Sequence, residues 1–231
     1  MKTYAFIFAR GGSKGLKGKN IKKLCDKPLL AHSIDIAKSI DEISKVFVST
    51  EDEDIQKVAI EYGANVIIRP KVLATDTSPE IDSWKHAINY LTDLGDSFDR
   101  FISLPTTSPL RSKDDVERAM DSLAESSDIV VTVSESHRNP FFNLMKFNGD
   151  GYLETFSKDK LVQRRQDAPK CYDLTTVAYV TRPEYILKNS NMFDGNVSAV
   201  NVPFERAIDI DTEVDFYIAE ALMKRKIDAE K

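Results

Sequence analysis

A glycine-rich, basic segment follows the first apolar run of the chain and has the residue types that bind phosphate. It reads FARGGSKGLKGKN from Phe8 to Asn20. Its glycines permit backbone N–H groups to approach an anion closely, and its arginine and lysines add full charges. Ser13 and Asn20 depart from the P-loop pattern, and the G-x-G of the dinucleotide fingerprint is missing. We predict a phosphate-binding loop of another class, the alternative being a solvated flexible loop. Its binding residues would be Arg10, Gly11, Gly12, Ser13, Lys14 and Lys19.

Two aspartates near the other end of the chain have the spacing of a hard-cation site. Asp209 and Asp211 alternate with apolar residues in AIDIDT, residues 207–212. On an extended segment, residues i and i+2 point to the same side. Mg²⁺ commonly takes one or two carboxylates together with phosphate oxygens. The pair therefore predicts a metal site, although Asp211 would also suit the N-cap of the helix that follows.

Hydroxyl side chains are concentrated in SLPTTSPLRS, residues 103–112, directly after an apolar run. Thr106, Thr107 and Ser108 would either contact a polar ligand or complete the hydrogen bonds of a turn. The spacing favours neither alternative. Ser112 is the expected N-cap of the next helix.

Two other segments place arginine beside polar residues. Arg69 follows an apolar run, and Ser78 precedes a helix whose N-terminus would favour an anion; Ser78 fits an N-cap equally well. In QRRQDAPKCYD, residues 163–173, Arg165 and Gln166 belong to an arginine-rich run. Such a pair clamps carboxylate or phosphate groups, unless it is only a solvated charge run.

The elements that must position these residues alternate between strand and helix patterns. Continuous apolar strands are typical of a parallel sheet covered on both faces, and the alternation indicates right-handed βαβ units. We predict an α/β fold with a doubly wound, mostly parallel sheet, whose ligands bind at the carboxyl ends of the strands. The apolar runs are 4–8, 45–50, 64–68, 99–104, 128–133, 175–181 and 197–202. The helical patterns are 28–40, 52–62, 79–94, 113–124, 183–189 and 211–225.

The alternation breaks between residues 135 and 172, where aromatic, polar and charged residues mix. We interpret this region as antiparallel strands or an inserted arm within a single domain, 1–231. The net charge of −5 argues against nucleic-acid binding by bulk charge. No run approaches the ~20 apolar residues of a membrane span, and no secretory signal is apparent. We expect a cytoplasmic protein with neither nucleic-acid nor membrane partners.

Five segments, taken together and in order, resemble the CMP-nonulosonate synthetases, the N-acylneuraminate cytidylyltransferase family. They are FARGGSKGLKGKN, IRPKVLATDTS, PTTSPLR, RRQDAPKCY and AIDIDTEVDF. The resemblance implies a doubly wound dimer in which an arm, here within 135–172, reaches the partner copy. It implies CTP and a nine-carbon 2-keto sugar acid as substrates, with Mg²⁺, or alternatively Mn²⁺, as cofactor. The anomeric hydroxyl would attack the α-phosphorus, giving a CMP-sugar and pyrophosphate.

The resemblance also implies a role for each matching residue. The triphosphate and nucleotide contacts would be Arg10, Lys14, Lys19 and Asn20, and the contacts near cytosine and ribose Arg69 and Ser78. Arg165 would lie near the sugar acid and the reacting phosphates, Tyr179 in the sugar pocket, and Asp209 and Asp211 on the metal. The catalytic set would be Lys19, Arg165, Asp209 and Asp211.

The chain departs from many sialate enzymes at the expected sugar site. Pro105 replaces a glutamine, and Thr175 and Thr176 replace an Asn-Gly pair. Phe141 and Phe142 occupy the place where those enzymes have a lysine. These changes make the pocket less polar, so we expect a deoxy, N-acylated sugar such as legionaminic acid.

Three other functions share some of these features. An octulosonate enzyme would use the same CTP chemistry. A D-x-D glycosyltransferase is disfavoured, because its acidic pair typically lies mid-chain without a lysine-bearing loop. A silent nucleotide-binding module is disfavoured, because the charged residues of the expected site are all present.

Overall fold

The computed structural model describes residues 1–13, 15–157 and 162–229. Its strands are β1 (Thr3–Phe8), β2 (Lys23–Leu24), β3 (Lys27–Pro28), β4 (Ile43–Thr50), β5 (Asn65–Ile68), β6 (Arg100–Ser103), β7 (Ile129–Glu135), β8 (Met145–Phe147), β9 (Leu153–Thr155), β10 (Tyr172–Thr181) and β11 (Val197–Asn201). Its helices are α1 (Leu29–Lys38), α2 (Glu53–Glu61), α3 (Glu80–Asp93), α4 (Lys113–Asp121), α5 (Pro183–Lys188) and α6 (Glu213–Ala229).

Seven strands form one sheet in the order β11-β7-β10-β6-β1-β4-β5. Six of them run parallel to one another, and β10 is antiparallel to both of its neighbours. The predicted α/β fold with a mostly parallel sheet is confirmed. The reversal of β10 and the small β2–β3 hairpin were not predicted.

Helices cover both faces of this sheet, as its continuous apolar strands predict. Helices α1, α2 and α4 pack on one face, and α3 and α5 pack on the other. The second face is rich in aromatic rings: Phe101 stacks on Phe6 with centroids 4.6 Å apart and lies 5.2 Å from Trp84. Burying side chains of this size stabilises the fold by about 1.5–3 kcal/mol each. The two packed faces fix the carboxyl edge of the sheet, where β1, β4 and β6 end together.

Strand β10 contains an irregularity next to that edge. Its register with β7 jumps from Thr175 opposite Thr132 to Tyr179 opposite Val131, so residues 176–178 bulge out of the ladder. The Thr132 hydroxyl occupies the gap, accepting from the Ala178 N–H at 3.1 Å and from the Thr175 hydroxyl at 2.8 Å. Bulges beside functional sites redirect side chains, and this one releases Thr176 from the regular alternation.

The region 135–172 departs from the layered fold, as predicted. It carries the antiparallel pair β8–β9 and exposes large apolar side chains, with Phe147 and Tyr152 each 73 % exposed. Its role as an interface arm and the limits of the domain stay predictions. Within the described ranges, no helix has the length and apolar character needed to cross a membrane.

Asp115 is a buried acid that ties helix α4 to the chain before α6. It forms a capping box with Ser112, which confirms the predicted N-cap, and it accepts two hydrogen bonds from Arg206 at 2.7 and 2.9 Å. Burial alone would raise the pKa of this carboxyl group. The hydrogen bonds from Arg206 and Ser112 outweigh that effect and lower the pKa to about 2.

This depressed pKa predicts a specific loss of stability in acid. The contribution of Asp115 is fully present above the ordinary aspartate pKa and is lost as the pH falls from about 4 through about 2, up to about 2 kcal/mol. Asp115→Asn should lower the free energy of unfolding at neutral pH by about 3 kcal/mol. It should also make the free energy of unfolding depend less on pH between about 4 and about 2. Urea unfolding across this pH range measures both effects. Asp114→Asn, an exposed neighbour paired with Arg118, should cost less than about 1 kcal/mol; equal losses in the two variants would contradict the assignment.

Candidate functional site

A cleft of about 450 Å³ lies at the carboxyl edge of the sheet. It is formed by the loop after β1, the loop after β6 and the segment before α6. The parallel orientation of β1 and β6 brings these loops together. The lining residues are Phe8, Arg10, Ser13, Gly15, Lys19, Asn20, Pro105, Thr106, Thr107, Asp211 and Thr212. The structure thus places five of the predicted phosphate-loop and metal residues in one cavity with two of the predicted hydroxyl residues.

The glycine loop packs so closely on its neighbours that two of its glycines have no room for a side chain. The Gly11 N–H donates to Glu51 at 2.8 Å, and a Cβ on Gly11 would lie 2.3 Å from an oxygen of Asp52. A Cβ on Gly15 would lie 2.2 Å from the backbone oxygen of Asp211. Gly12 faces open space. Lys14, also predicted to bind phosphate, lies outside the described residues.

Lys19 joins the loop to the segment that carries the two aspartates. Its Nζ donates to the backbone oxygen of Ile210 at 2.6 Å and to Oδ1 of Asp211 at 3.0 Å. The lysine side chain is 12 % exposed, whereas that of Asp211 is 72 % exposed. The ammonium group is therefore held at the inner wall of the cleft, and the carboxylate remains accessible.

Asn20 holds the loop in place from the inner side. Its amide nitrogen donates to the backbone oxygen of Arg10 at 2.8 Å, and its amide oxygen accepts from the Thr106 hydroxyl. Both side chains are buried. Thr106 thus uses its hydroxyl to connect two loops and not to complete a hydrogen bond of its own turn.

The other predicted hydroxyls meet at Thr176, the first residue of the β10 bulge. Thr176 Oγ1 lies 2.7 Å from the Ser108 hydroxyl and 3.1 Å from that of Thr107. It donates to Oδ1 of Asp209 at 3.0 Å. Asp209 is therefore oriented by strand β10, whereas Asp211 contacts the glycine loop.

Arg111 is a buried residue that sequence reasoning did not assign to the site. Its guanidinium donates to the backbone oxygens of Val177 at 2.7 Å, of Thr176 at 3.1 Å and of Pro105. It also donates to the Ser33 hydroxyl at 2.6 Å. Burial lowers the pKa of Arg111 to about 9, opposed by the charges of Asp209 and Asp115, so the group is charged at neutral pH. Arg111 therefore holds the loop after β6 against the bulge in β10, the two segments that carry the hydroxyl cluster.

A second pocket of about 270 Å³ adjoins the cleft and shares Phe8 and Arg10 with it. Its other lining residues are Arg69, Leu73, Thr75, Asp76, Ser78, Glu80 and Ser83. Arg10 forms an ion pair with Asp76, another residue of this pocket, at 2.6 Å. The predicted contacts Arg69 and Ser78 are therefore brought together here, next to the phosphate-loop residues.

Arg69 is held in that pocket by polar neighbours. It donates to Glu51 at 3.2 Å and to Ser83 at 3.4 Å, and its buried Nε has no hydrogen-bond partner in the described chain. Burial lowers the pKa of Arg69, and Glu51 opposes that shift. Ser78 donates to the backbone oxygen of Val72 at 2.8 Å and does not cap α3.

Besides Ser108, three predicted substrate residues line neither pocket. Arg165 and Gln166 are exposed on a short 3₁₀ helix of the 135–172 region. Tyr179 is 4 % exposed and packs on Trp84, with ring centroids 5.7 Å apart. Burial raises the pKa of this phenol well above its ordinary value. The substrate roles of these residues stay predictions.

The donor set near Asp209 and Asp211 suits a hard cation that a ligand helps to bind. Thr212 caps α6 through reciprocal bonds with Asp215, so Asp211 is not the N-cap. Among the described residues, no group of three or more histidine, cysteine, aspartate or glutamate side chains forms a cage. Asp209 is not among the residues that line the cleft, so a Mg²⁺ site shared by these two carboxylates, with phosphate and water supplying the other oxygens, stays a prediction.

Several residues that shape the site were missed from the sequence. Glu51 and Asp52 directly follow β4, so the strand-end argument that identified Arg69 would have found them. Arg111 was missed because its role depends on burial. Thr176 was noticed at the expected sugar site, but its contact with Asp209 depends on the β10 bulge, which leaves no local signal.

Comparison with known proteins gives consistent matches along the chain. The model of the family described as cytidylyltransferase matches residues 4–221. The post-translational flagellin modification protein B of Campylobacter coli is 35 % identical over 223 residues, which are 95 % of this chain and 94 % of the relative. CMP-N,N'-diacetyllegionaminic acid synthase of Campylobacter jejuni is 34 % identical over 223 residues, with the same coverage.

A solved structure of CMP:2-keto-3-deoxy-manno-octonic acid synthetase, complexed with CTP, has the same fold. It matches with a TM-score of 0.74 at 16 % identity, over 98 % of this chain and 100 % of that one.

The contact between Gly15 and Asp211 predicts that this glycine cannot be replaced. In Gly15→Ala, the new methyl group must push the loop away from the Asp211 carbonyl, and the Lys19 contacts should loosen with it. We expect the free energy of unfolding to fall by about 1–3 kcal/mol, measured by denaturant titration. Gly149→Ala, where a Cβ meets open space, should change it by less than about 0.5 kcal/mol. An unchanged stability for Gly15→Ala would contradict the close packing of the loop.

Proposed function

The chain belongs to the cytidylyltransferase family, and on that premise we propose that it transfers CMP from CTP to the anomeric hydroxyl of a nine-carbon 2-keto sugar acid. The resemblance and the enzyme class predicted from the sequence are confirmed: this is a CTP-dependent nucleotidyltransferase. The observation that carries the fuller proposal is the single cleft at the carboxyl edge of the sheet. There the glycine loop, Lys19 and Asp211 meet beside the pocket of Arg69.

The cleft is suited to a triphosphate. Arg10, Ser13 and Lys19 line it together, and the loop backbone is fixed by Asn20 and Glu51. Nucleotidyl transfer needs little covalent chemistry from a protein, because positioning and charge stabilisation supply most of the acceleration. In this proposal, Lys19 and Arg10 stabilise the negative charge that develops on the leaving pyrophosphate.

Asp209 and Asp211 would hold the divalent cation, Mg²⁺ or alternatively Mn²⁺. When bound, such an ion neutralises charge on the transferring phosphate and lowers the pKa of a nearby hydroxyl group. Contacts within the chain orient both carboxylates. Thr176 orients the Asp209 carboxylate, and the ion pair with Lys19 holds Asp211 at the cleft.

The acceptor side favours a legionaminate-type sugar. Pro105 lines the cleft, with no polar side chain where many sialate enzymes have glutamine, and Thr176 uses its hydroxyl on Asp209 and two neighbouring hydroxyls. A relative 34 % identical to this chain is a CMP-N,N'-diacetyllegionaminic acid synthase. Within the same chemistry, an octulosonate is the second candidate acceptor, because a CMP:2-keto-3-deoxy-manno-octonic acid synthetase shares the fold.

We also propose that two copies of the chain associate through the 135–172 arm. Phe147, Tyr152 and Leu153 are at least 60 % exposed on it, and contiguous apolar surface of this kind marks interaction sites. Arg165 and Gln166 lie on the same arm. A partner copy would let these two residues, which do not line the cleft of their own chain, reach a sugar site.

The test is product formation from CTP and Mg²⁺ with a panel of acid sugars. The panel comprises legionaminate, pseudaminate, N-acetylneuraminate, ketodeoxynononate and an octulosonate, with pyrophosphate and CMP-sugar mass as readouts. We expect a legionaminate-type sugar to have the highest kcat/KM, at least about tenfold above N-acetylneuraminate, since one buried polar contact is worth about that factor. Lys19→Ala should remove most of this turnover. A tenfold preference for N-acetylneuraminate would overturn the acceptor, and full turnover in Lys19→Ala would overturn the site.

A further inference from the structure

Glu51 is an acidic residue that links the two pockets. It directly follows β4, the strand beside β1 in the sheet. Its Oε1 accepts a hydrogen bond of 2.8 Å from the backbone N–H of Gly11 in the glycine loop. Its Oε2 accepts one of 3.2 Å from Nη2 of Arg69 in the second pocket. One carboxylate group therefore uses each of its oxygens for a different pocket, although Glu51 itself lines neither.

The two ends of this bridge are held in confined positions. The side chain of Glu51 is 16 % exposed and that of Arg69 is 5 % exposed. Among the described residues, Glu51 is the only acid within ion-pair distance of Arg69. Gly11 packs so closely on Asp52 that a Cβ would not fit between them. With both ends confined, the carboxylate cannot follow a movement of one contact without straining the other.

Each end of the bridge belongs to a segment that would face a different part of a nucleotide. Arg10 and Ser13, on either side of Gly11, line the cleft in which we place the triphosphate. Arg69 lines the second pocket, where the resemblance places cytosine and ribose. The carboxylate of Glu51 therefore lies between the two binding regions and connects their protein contacts.

A shared element of this kind couples two binding sites. A ligand that fixes one end of the bridge lowers the conformational entropy that the second ligand must remove at the other end, so each ligand favours the other. The two effects are equal, because coupling between sites is reciprocal. Hydrogen bonds to a charged group are the stronger ones in proteins, so both contacts of Glu51 are suited to transmit the change.

We propose that Glu51 is a positioning residue that couples recognition of the base to ordering of the phosphate-binding loop. The base, bound at Arg69, holds Glu51 in place. Glu51 in turn holds the Gly11 N–H, and with it the loop that receives the triphosphate. This inference rests on the proposed use of CTP. It predicts that each half of the nucleotide binds more tightly when the other half is bound.

A simpler role for Glu51 is to balance the charge of buried Arg69, and two variants separate the roles. Glu51→Asp keeps the charge, but its side chain is one methylene too short to reach both partners. Glu51→Gln keeps the length, but its amide offers one acceptor and one donor to two partners that both donate. The bridge is broken in both variants, whereas the charge is lost only in Glu51→Gln.

Calorimetry measures the coupling with the two halves of CTP as separate probes. The affinity for inorganic tripolyphosphate is determined over a series of cytidine concentrations, at one fixed Mg²⁺ concentration. For the wild type, we expect cytidine to strengthen tripolyphosphate binding by about fivefold or more, the lower end of typical coupling between sites. In Glu51→Asp and Glu51→Gln, the effect should be less than about twofold. The control is Glu53→Gln, exposed in the first turn of α2, which removes the same charge two residues away and should retain the wild-type coupling.

Hydrogen exchange provides a second readout that a purely structural role would not change. In the wild type, cytidine should slow the exchange of the Gly11 amide, which donates to Glu51. In the two Glu51 variants, cytidine should leave this rate unchanged. Urea unfolding of each variant, measured in parallel, establishes that the protein is folded under the conditions of the test.

The outcomes separate this inference from the proposed function. If cytidine at no concentration changes the tripolyphosphate affinity of the wild type, or if both Glu51 variants keep the wild-type coupling, Glu51 is not a bridge and only this inference fails. If only one Glu51 variant loses the coupling, or if Glu53→Gln loses it too, the bridge is not responsible and the inference fails again. If the wild type binds neither tripolyphosphate nor CTP, the proposed function fails with it.

Discussion

The buried guanidinium of Arg111 is the interaction on which the cleft depends. A bulge in β10 frees the carbonyls of Thr176 and Val177 from their ladder partners, and a buried carbonyl without a partner costs about 1–3 kcal/mol. Arg111 donates a hydrogen bond to each of these carbonyls and also to the carbonyl of Pro105 on the neighbouring loop. One side chain thus fixes the loop after β6 against the bulged strand. The hydroxyl cluster that orients Asp209 exists only because these two segments meet.

The second feature that governs the site is the ion pair between Lys19 and Asp211, which has to break when each residue binds its proposed ligand. Lys19 is bound to Asp211 in this structure, yet the proposed reaction needs the lysine on phosphate and the carboxylate on a cation. These requirements are compatible, because a divalent cation offers Asp211 a stronger partner and a triphosphate offers Lys19 one. Binding of the nucleotide and the cation should therefore be coupled.

The sequence predicted what local patterns determine. Continuous apolar strands, the Ser112 capping box and the strand-end position of the glycine loop all follow from neighbouring residues. The reversal of β10 does not, because it depends on how the 135–172 region returns the chain to the sheet. The β2–β3 hairpin was missed because Cys25 and Asp26 form its turn with positive φ, at 48° and 66°, without the usual Asn-Gly signal. Long-range contacts such as those of Arg111 leave no periodic pattern at all.

The central claim is that nucleotide and cation share the Lys19–Asp211 position, and calorimetric CTP binding with and without Mg²⁺ tests it most directly. For the wild type we predict that Mg²⁺ strengthens CTP binding by about tenfold or more, the effect of at least ~1.4 kcal/mol. Without Mg²⁺, Asp211→Asn should bind CTP more tightly than the wild type, because Lys19 is released from its carboxylate partner, and Mg²⁺ should then add little. If the wild type and Asp211→Asn bind CTP with equal affinity, and Mg²⁺ changes the affinity of neither protein, the account is contradicted.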